Sequence, residues 1–172
     1  MISAYIARMT KHRHYRVENF TGEICIGYLI SRAQSLNRIQ LEALFEGGDI
    51  NFTQWRVLMC LRDGLANTSA DISRELSHDK GSMTRIIDQL ENRKLLNRQR
   101  DAEDRRIVFL TLTAAGRAAV NRLIPKLVDF YNGLLGDFSP DEVRLLTQLL
   151  TKLRSALQMR ETLSQREGAR AT

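Results

Sequence analysis

Cysteine, proline and long apolar runs are scarce in this sequence, which holds two cysteines, two prolines and ten glycines in 172 residues. Two cysteines do not make a disulfide framework, and with three histidines at unfamiliar spacings they do not form a metal set. The sequence also lacks a run of about eighteen apolar residues, which a membrane-spanning helix would need. The start of the chain has no apolar stretch long enough for a signal peptide, so we expect a cytoplasmic protein without metal or cofactor.

The composition is that of one ordinary globular domain with appendages, at 43% hydrophobic and 27% charged residues. The net charge of +6 suits an anionic partner. Four of these charges lie in residues 1–16, which contain no acid, and we expect a basic and disordered tail there. A second surplus of three positive charges lies between Lys80 and Arg106, where eight basic and five acidic residues occur.

Helical spacing of apolar residues dominates the first half of the chain. From Val17 to about Phe45 it predicts one long amphipathic helix, which the glycines at 47 and 48 end. Thr53 is a suitable N-cap for a second helix, which stops at Gly64. Two short helices at 69–77 and 81–93 follow, separated by a polar turn.

The spacing changes to that of strands after the fourth helix. Residues 108–112 alternate as a strand does and can pair with an earlier strand at 96–100 across a charged loop. Thr113 then caps a helix that Pro125 is expected to kink. Ser139 and Pro140 start a final helix with a leucine stripe.

These elements predict a mainly α (α+β) fold, in which a winged helix-turn-helix lobe lies between long N- and C-terminal helices. The outer helices carry more apolar surface than the small lobe can cover, so we expect a two-fold homodimer. The predicted segments are a basic tail at 1–16, a dimerisation helix at 17–48, the lobe at 49–112, dimerisation helices at 113–160 and a frayed tail at 161–172.

The helix pair and the hairpin occur in the order of a winged helix-turn-helix, whose second helix enters the DNA major groove. Short polar side chains and an arginine near the start of that helix suit contacts with base edges and phosphates. The helix N-terminus itself favours phosphate. The expected major-groove residues are Gly81, Ser82, Thr84, Arg85 and Gln89. At the hairpin tip an arginine can enter the electronegative minor groove, and Asp104 beside it is expected to brace the loop or orient Arg106.

Three runs resemble the MarR/SlyA type of winged helix-turn-helix transcriptional regulator. Residues 104–116, with Asp104, Arg106 and Gly116, are similar to the family's wing signature. Residues 52–58 resemble its second helix, and residues 83–91 resemble its recognition helix. The resemblance spans about 17–159, with the elements in the same order.

The resemblance implies a bacterial or archaeal homodimer that binds a pseudo-palindromic DNA duplex in the cytosol or nucleoid, commonly as a repressor. Asp104, Arg105 and Arg106 would form the wing contacts, and Ser69, His78 and Lys80 would meet phosphates. It also implies release from DNA by a small aromatic or phenolic molecule, for which the candidate contacts are Tyr28, Arg32, Trp55 and Arg56.

An oxidant is the alternative signal that the resemblance implies. Cys25 lies near the reactive cysteine of a peroxide-sensing branch, but Trp55 stands where that branch has a tyrosine. A buried structural role is the other interpretation of Cys25, and it applies more strongly to Cys60 in its apolar run.

Two other classes of function compete with DNA binding. An enzyme would need a nucleophile–base pair, a metal set or a phosphate loop, and no GxxxxGK, HExxH or GxSxG motif occurs. We therefore expect no catalysis. A helical interaction protein could use the same outer helices without binding DNA.

Overall fold

The computed structural model describes residues 14–168. Most of the predicted basic tail at 1–16 and the last four residues lie outside this range. A 3₁₀ turn at Val17–Asn19 is followed by the helices and strands of the fold. In chain order these are α1 (Ile26–Leu44), α2 (Phe52–Arg62), α3 (Ser69–Glu75), α4 (Lys80–Asn92), β1 (Leu96–Arg100), β2 (Val108–Leu112), α5 (Ala114–Leu134) and α6 (Pro140–Gly168).

Helix α1 is shorter than the sequence predicts, because it begins at Ile26 and not at Val17. The Ile26 N–H donates to the phenol oxygen of Tyr15 at 3.0 Å, so a residue well upstream caps the helix. The ring of Tyr15 also packs edge-on against Phe20, 5.3 Å away. The intervening segment therefore folds back on the helix start, although its apolar spacing is compatible with a helix.

Helix α2 begins two residues earlier than predicted, with Asn51 and not Thr53 as its N-cap. The Gln54 N–H donates to Asn51 Oδ1 at 2.8 Å, and the Asn51 N–H donates to Gln54 Oε1 at 3.1 Å. This reciprocal pair is a capping box, which satisfies two amides that a helix start otherwise leaves unpaired.

The core of the first unit is built where α3 and α4 meet the hairpin. Thr68 caps α3, and α4 starts at Lys80 after the N-cap Asp79. Ile72 of α3 is fully buried. Met83, Ile87 and Leu90 are also fully buried, and their helical spacing makes them the inward face of α4.

Strands β1 and β2 form the predicted antiparallel hairpin, with Leu96 opposite Leu112 and Arg100 opposite Val108. The Leu110 N–H also donates to Asn67 O at 2.7 Å, which ties the hairpin to the segment before α3. Thr113 caps the next helix as predicted, since its hydroxyl accepts from the Gly116 N–H at 2.9 Å.

Residues Met1–Gly116 and Arg117–Thr172 form two compact units. Helix α5 continues through Pro125. Helix α6 has the predicted N-cap, because the Ser139 hydroxyl accepts from the Glu142 N–H at 3.3 Å. The expected fraying from residue 161 is wrong up to Gly168, since glutamate, glutamine and arginine are good helix formers without an apolar stripe. None of the helices within residues 14–168 combines the length and apolar character that crossing a bilayer requires.

Candidate nucleic-acid interface

Helix α4 presents a polar face opposite its buried stripe. Four of the five predicted major-groove residues are exposed there, namely Gly81, Thr84, Arg85 and Gln89. The fifth, Ser82, is half-buried. The Thr84 hydroxyl donates to the Lys80 carbonyl at 3.0 Å, which leaves its oxygen as an acceptor on the surface. Arg85 and Gln89 are one turn apart and share a face.

The start of α4 is occupied by a carboxylate of the protein. Asp79 accepts hydrogen bonds from the Gly81 and Ser82 amides, each at 2.9 Å. Hydrogen bonds from the Ser82 hydroxyl, the Ser82 amide and the Gly81 amide lower the pKa of Asp79 to about 2. The expectation that this helix start binds phosphate is therefore wrong for these two amides, because Asp79 already uses them.

Arg98 of β1 holds two acidic side chains of α4. Its guanidinium donates to Asp88 Oδ1 at 2.5 Å and to Glu91 Oε2 at 2.6 Å. Asp88 lies three residues after the exposed Arg85 on α4, and its carboxylate is turned toward the strand. One cation thus offsets two negative charges beside the exposed face of α4.

Gln89 is predicted to contact bases, and its side-chain amide already forms a hydrogen bond within the protein. The Gln54 amide nitrogen donates to Gln89 Oε1 at 3.0 Å. Gln54 itself is only 8% exposed. A spacing of 35 residues separates the two, so no local pattern indicates the pair.

The wing loop is organised by Asp101, which the sequence reading did not single out. Its carboxylate accepts hydrogen bonds from the Glu103 and Asp104 backbone amides at 2.8 and 2.7 Å. These two hydrogen bonds lower the pKa of Asp101, and the one from Asp104 has the larger effect. Aspartate in a turn commonly accepts hydrogen bonds from backbone amides two or three residues later, as in an Asx-turn. This preference could have indicated the role of Asp101 from the sequence.

Asp104 has the predicted bracing role. Its carboxylate accepts from the Arg106 backbone N–H at 3.0 Å and lies 3.5 Å from the Arg106 Nε. The Arg106 side chain remains 94% exposed. Arg105 is exposed beside it. The loop therefore holds its backbone in place while it presents two guanidinium groups to solvent.

The residues expected to meet phosphates lie at the ends of α3 and α4. Ser69 and His78 are half-buried, and Lys80 is exposed at the first position of α4. The His78 backbone N–H donates to the Ser73 carbonyl at 2.8 Å, which fixes the turn between the helices.

The four residues predicted to contact an effector do not come together within the chain. Trp55 stacks on Phe52, and Arg56 lies 5.8 Å from the centre of the same ring. Tyr28 and Arg32 lie on α1. The C-cap of this helix, Phe45, contacts Trp55, with their ring centres 5.6 Å apart. At 1.5 Å per residue, roughly 20–25 Å of helix separates them from that end.

An open cleft of about 620 Å³ lies instead at the junction of α1 and α2. Its lining includes Phe45, Phe52 and two acids, Glu42 and Glu46. Among the described residues, the buried Trp55 indole nitrogen has no hydrogen-bond partner. The cleft is therefore bordered by two phenylalanines and by negative charge.

The two cysteines differ in environment. Cys60 is buried, and burial raises the pKa of its thiol, which agrees with the structural interpretation. Cys25 is half-buried at the N-cap of α1. Within residues 14–168 no three His, Cys, Asp or Glu side chains group as metal ligands would.

A helix pair whose second helix exposes polar side chains, followed by a braced hairpin, defines a winged helix-turn-helix protein. The MarR family model matches residues 50–108, from the start of α2 to the start of β2. The multiple antibiotic resistance protein MarR of Escherichia coli is 30% identical over 136 residues, covering 78% of this chain and 94% of that protein. A solved structure of a cysteine-to-serine mutant of that MarR with operator DNA has a TM-score of 0.63 at 29% identity, covering 78% of this chain and 97% of that one.

Two further relatives extend the similarity. The transcriptional repressor MprA of E. coli is 28% identical over 159 residues, covering 91% of this chain and 90% of that protein. The structure of Bordetella bronchiseptica BpsR, described with regulation of its DNA binding by 6-hydroxynicotinic acid, has a TM-score of 0.66 at 28% identity, with 78% and 96% covered. The chain belongs to the MarR family of winged helix-turn-helix transcriptional regulators.

Proposed function

We propose that this protein is a sequence-specific regulator that binds double-stranded DNA as a homodimer and represses transcription from a pseudo-palindromic operator. The observation that carries the proposal is the exposed face of α4 next to a wing whose Arg106 side chain is 94% exposed. The solved MarR mutant with operator DNA and the repressor MprA support the proposal as relatives.

Helix α4 reads bases in the major groove in this proposal. Arg85 is exposed and can donate two parallel hydrogen bonds to guanine, which is the commonest specific contact of arginine. Thr84 and Gln89 flank it on the same exposed surface. The Ser82 hydroxyl donates to the Asp79 carboxylate, so Ser82 supports the helix start more than it reads a base.

The wing supplies the minor-groove contact. The narrow minor groove concentrates negative potential, which attracts an inserted guanidinium. Because Asp104 holds the Arg106 backbone, the side chain projects from a fixed point. Lys80, Arg105, Ser69 and His78 would add contacts to phosphates, which position the protein and carry no sequence information.

The homodimer follows from apolar surface that the single chain leaves open. Six apolar side chains of α6 are 40–57% exposed, namely Leu145, Leu146, Leu149, Leu150, Leu157 and Met159. Ile26, Leu29, Leu36 and Ile39 of α1 are exposed as well. A second copy covering these faces would place two lobes on successive half-sites of a two-fold operator.

DNA binding is tested by selecting bound duplexes from a random library and measuring affinity by fluorescence anisotropy across a salt series. We expect Arg106→Ala to weaken binding to all selected duplexes and to lower the salt slope by about one. Arg85→Ala should relax preference at one base pair, at a cost of about 1–3 kcal/mol. Arg38→Ala, which removes an arginine of α1 paired with Glu42 at 3.6 Å, is the control. Equal affinity of the wild type and both variants would falsify the proposal.

The proposal includes release from DNA by a small aromatic or phenolic ligand in the cleft between α1 and α2. Phe45 and Phe52 give the cleft apolar lining that suits an aromatic ligand, while Glu42 and Glu46 favour an uncharged phenol over an anion. BpsR, whose DNA binding is described as regulated by 6-hydroxynicotinic acid, supports an aromatic effector.

Effector binding can be followed through Trp55, because the chain has one tryptophan and it stacks on Phe52. We expect catechol to change Trp55 fluorescence and to lower DNA affinity, and benzoate to do so more weakly. Tyr28→Leu, on the distant part of α1, should leave the titration unchanged. A titration lost in Tyr28→Leu would contradict this location.

The redox alternative rests on the partial exposure of Cys25. If it holds, hydrogen peroxide releases the wild type from DNA and leaves Cys25→Ser bound. Identical behaviour of the two proteins would exclude Cys25 as the sensor.

A further inference from the structure

The amide of Gln54 has only one orientation that its neighbours allow. The Asn51 backbone N–H can only donate, and it points at Gln54 Oε1 from 3.1 Å. The oxygen of the Gln54 side chain is therefore fixed at the start of α2. Its amide nitrogen must face the other way.

The orientation of Gln54 decides the orientation of Gln89. The Gln54 amide nitrogen is a donor without acceptor capacity, and the atom 3.0 Å from it must be an acceptor, which is Gln89 Oε1. The side-chain carbonyl oxygen of Gln89 is thus directed toward Gln54 and accepts its hydrogen bond inside the protein. Its amide nitrogen, with hydrogens to donate, remains for the exposed side of α4.

A glutamine held in this way differs from a free one as a reader of DNA. A free glutamine pairs with adenine by donating to N7 and accepting from N6. A glutamine that presents only its N–H donors can meet two acceptors on guanine and one on thymine or adenine, but its oxygen is directed away from the amino group of adenine or cytosine, which is left unpaired.

We propose that Gln54 is a positioning residue that makes Gln89 a donor-only reader of base edges, so that Gln89 favours guanine or thymine over adenine or cytosine at the base it faces. This inference rests on the proposed DNA-binding function. It assigns part of the sequence preference to a side chain that is 8% exposed and itself makes no contact with DNA.

The decisive variant is Gln54→Glu in the full-length chain. Glutamate keeps the capping box with one oxygen, and its second oxygen accepts from Gln89. The Gln89 amide must then turn, so that its carbonyl oxygen faces the groove. Duplex selection with Gln89→Ala first identifies the base pair that Gln89 reads.

At that base pair we expect Gln54→Glu to exchange the preferred base on the contacted strand for adenine or cytosine, with a change in relative affinity of about tenfold. Gln34→Glu, a substitution of the same kind on α1, should keep the wild-type preference. A folded Gln54→Glu that keeps the wild-type base at this position overturns the inference.

A second measurement does not depend on the folding of a core variant. We remove the exocyclic amino group at the identified base pair and measure the resulting fold-loss in duplex affinity. This loss should be the same for the wild type and for Gln89→Ala. A larger loss with the wild type would mean that Gln89 accepts a hydrogen bond, which overturns the inference while DNA binding stands. If the wild type selects no duplex, the proposed function fails and this inference fails with it.

Discussion

Arg98 offsets the negative charge of two acidic residues on α4, the helix that we propose reads DNA. It pairs with both Asp88 and Glu91, and its side chain is about one-third exposed. Exposed pairs contribute little to stability, so we assign Arg98 a larger effect on DNA affinity than on folding. Without it, two carboxylates would lie uncompensated close to phosphates.

We expect Arg98→Gln to weaken duplex binding several-fold, with a smaller change in unfolding free energy. Neutralising the two acids in the same background, as Asp88→Asn and Glu91→Gln, should restore affinity. Arg62→Gln, which removes the partner of Asp63 at 2.8 Å on α2, is the control. Anisotropy titrations at low salt measure the effect, and no recovery in the triple variant would contradict the explanation.

Asp79 gives α4 a pH-dependent cap. Its pKa is about 2 in the folded chain against an ordinary 3.8, so its contribution to stability is fully present above about pH 4 and is lost as the pH falls through about 2. Asparagine caps helices as well as aspartate but does not titrate in this range.

We therefore expect the wild type to be more stable than Asp79→Asn near neutral pH, and the difference to vanish toward pH 2. Urea unfolding followed by circular dichroism at several pH values measures this. Asp137→Asn controls for the loss of one exposed carboxylate. A difference that stays constant down to pH 2 would refute the cap's titration.

At the scale of elements, Gly116 sets how closely the start of α5 approaches the chain before β1. A Cβ there would overlap the Leu95 carbonyl oxygen and lie 2.9 Å from the Leu95 carbonyl carbon and 3.0 Å from Leu112 Cδ2. At Gly133 in the same helix, no atom of the described residues that could hinder such a Cβ lies within 4 Å of it.

The two glycines should therefore respond to alanine with opposite signs. Gly116→Ala should destabilise the protein by about 1–3 kcal/mol or more through overpacking. Gly133→Ala should stabilise it by up to about 1 kcal/mol, because alanine favours the helix. Denaturant midpoints compare them directly, and a shift of the same sign in both would contradict the close approach at Gly116.

Most elements could be predicted from the sequence because their signals are local. The alternation in 108–112 predicted β2, and Thr68, Thr113 and Ser139 act as the caps they resemble. The start of α1 could not be predicted, because its cap is the phenol of Tyr15, eleven residues away.

The site divides in the same way between local and distant contacts. The outer face of α4 and the role of Asp104 followed from spacing within one element. The pairs Gln54–Gln89 and Asp88–Arg98 join different elements, so only the folded chain brings them together. The distance between Tyr28 and Trp55 within the chain could not be predicted for the same reason, because no local pattern indicates it.

At the scale of the whole molecule, the apolar face of α6 should govern assembly. We expect Leu149→Glu to shift the protein toward monomer and to weaken operator binding strongly, because a charge in an apolar interface is costly. Thr147→Glu places the same charge on another side of the helix and should leave assembly unchanged. Sedimentation velocity at micromolar concentration measures this, and a monomeric wild type would contradict the dimer.

The wing has a thermodynamic consequence that follows from Asp101. Its carboxylate and the hydrogen bond from the Ile107 N–H to the Asp104 carbonyl at 2.9 Å close the loop in the free chain. If the wing contacts a duplex as proposed, binding would order the Arg105 and Arg106 side chains and not a stretch of backbone. Calorimetry should accordingly give the modest negative heat-capacity change of rigid docking, without the larger one that accompanies folding coupled to binding.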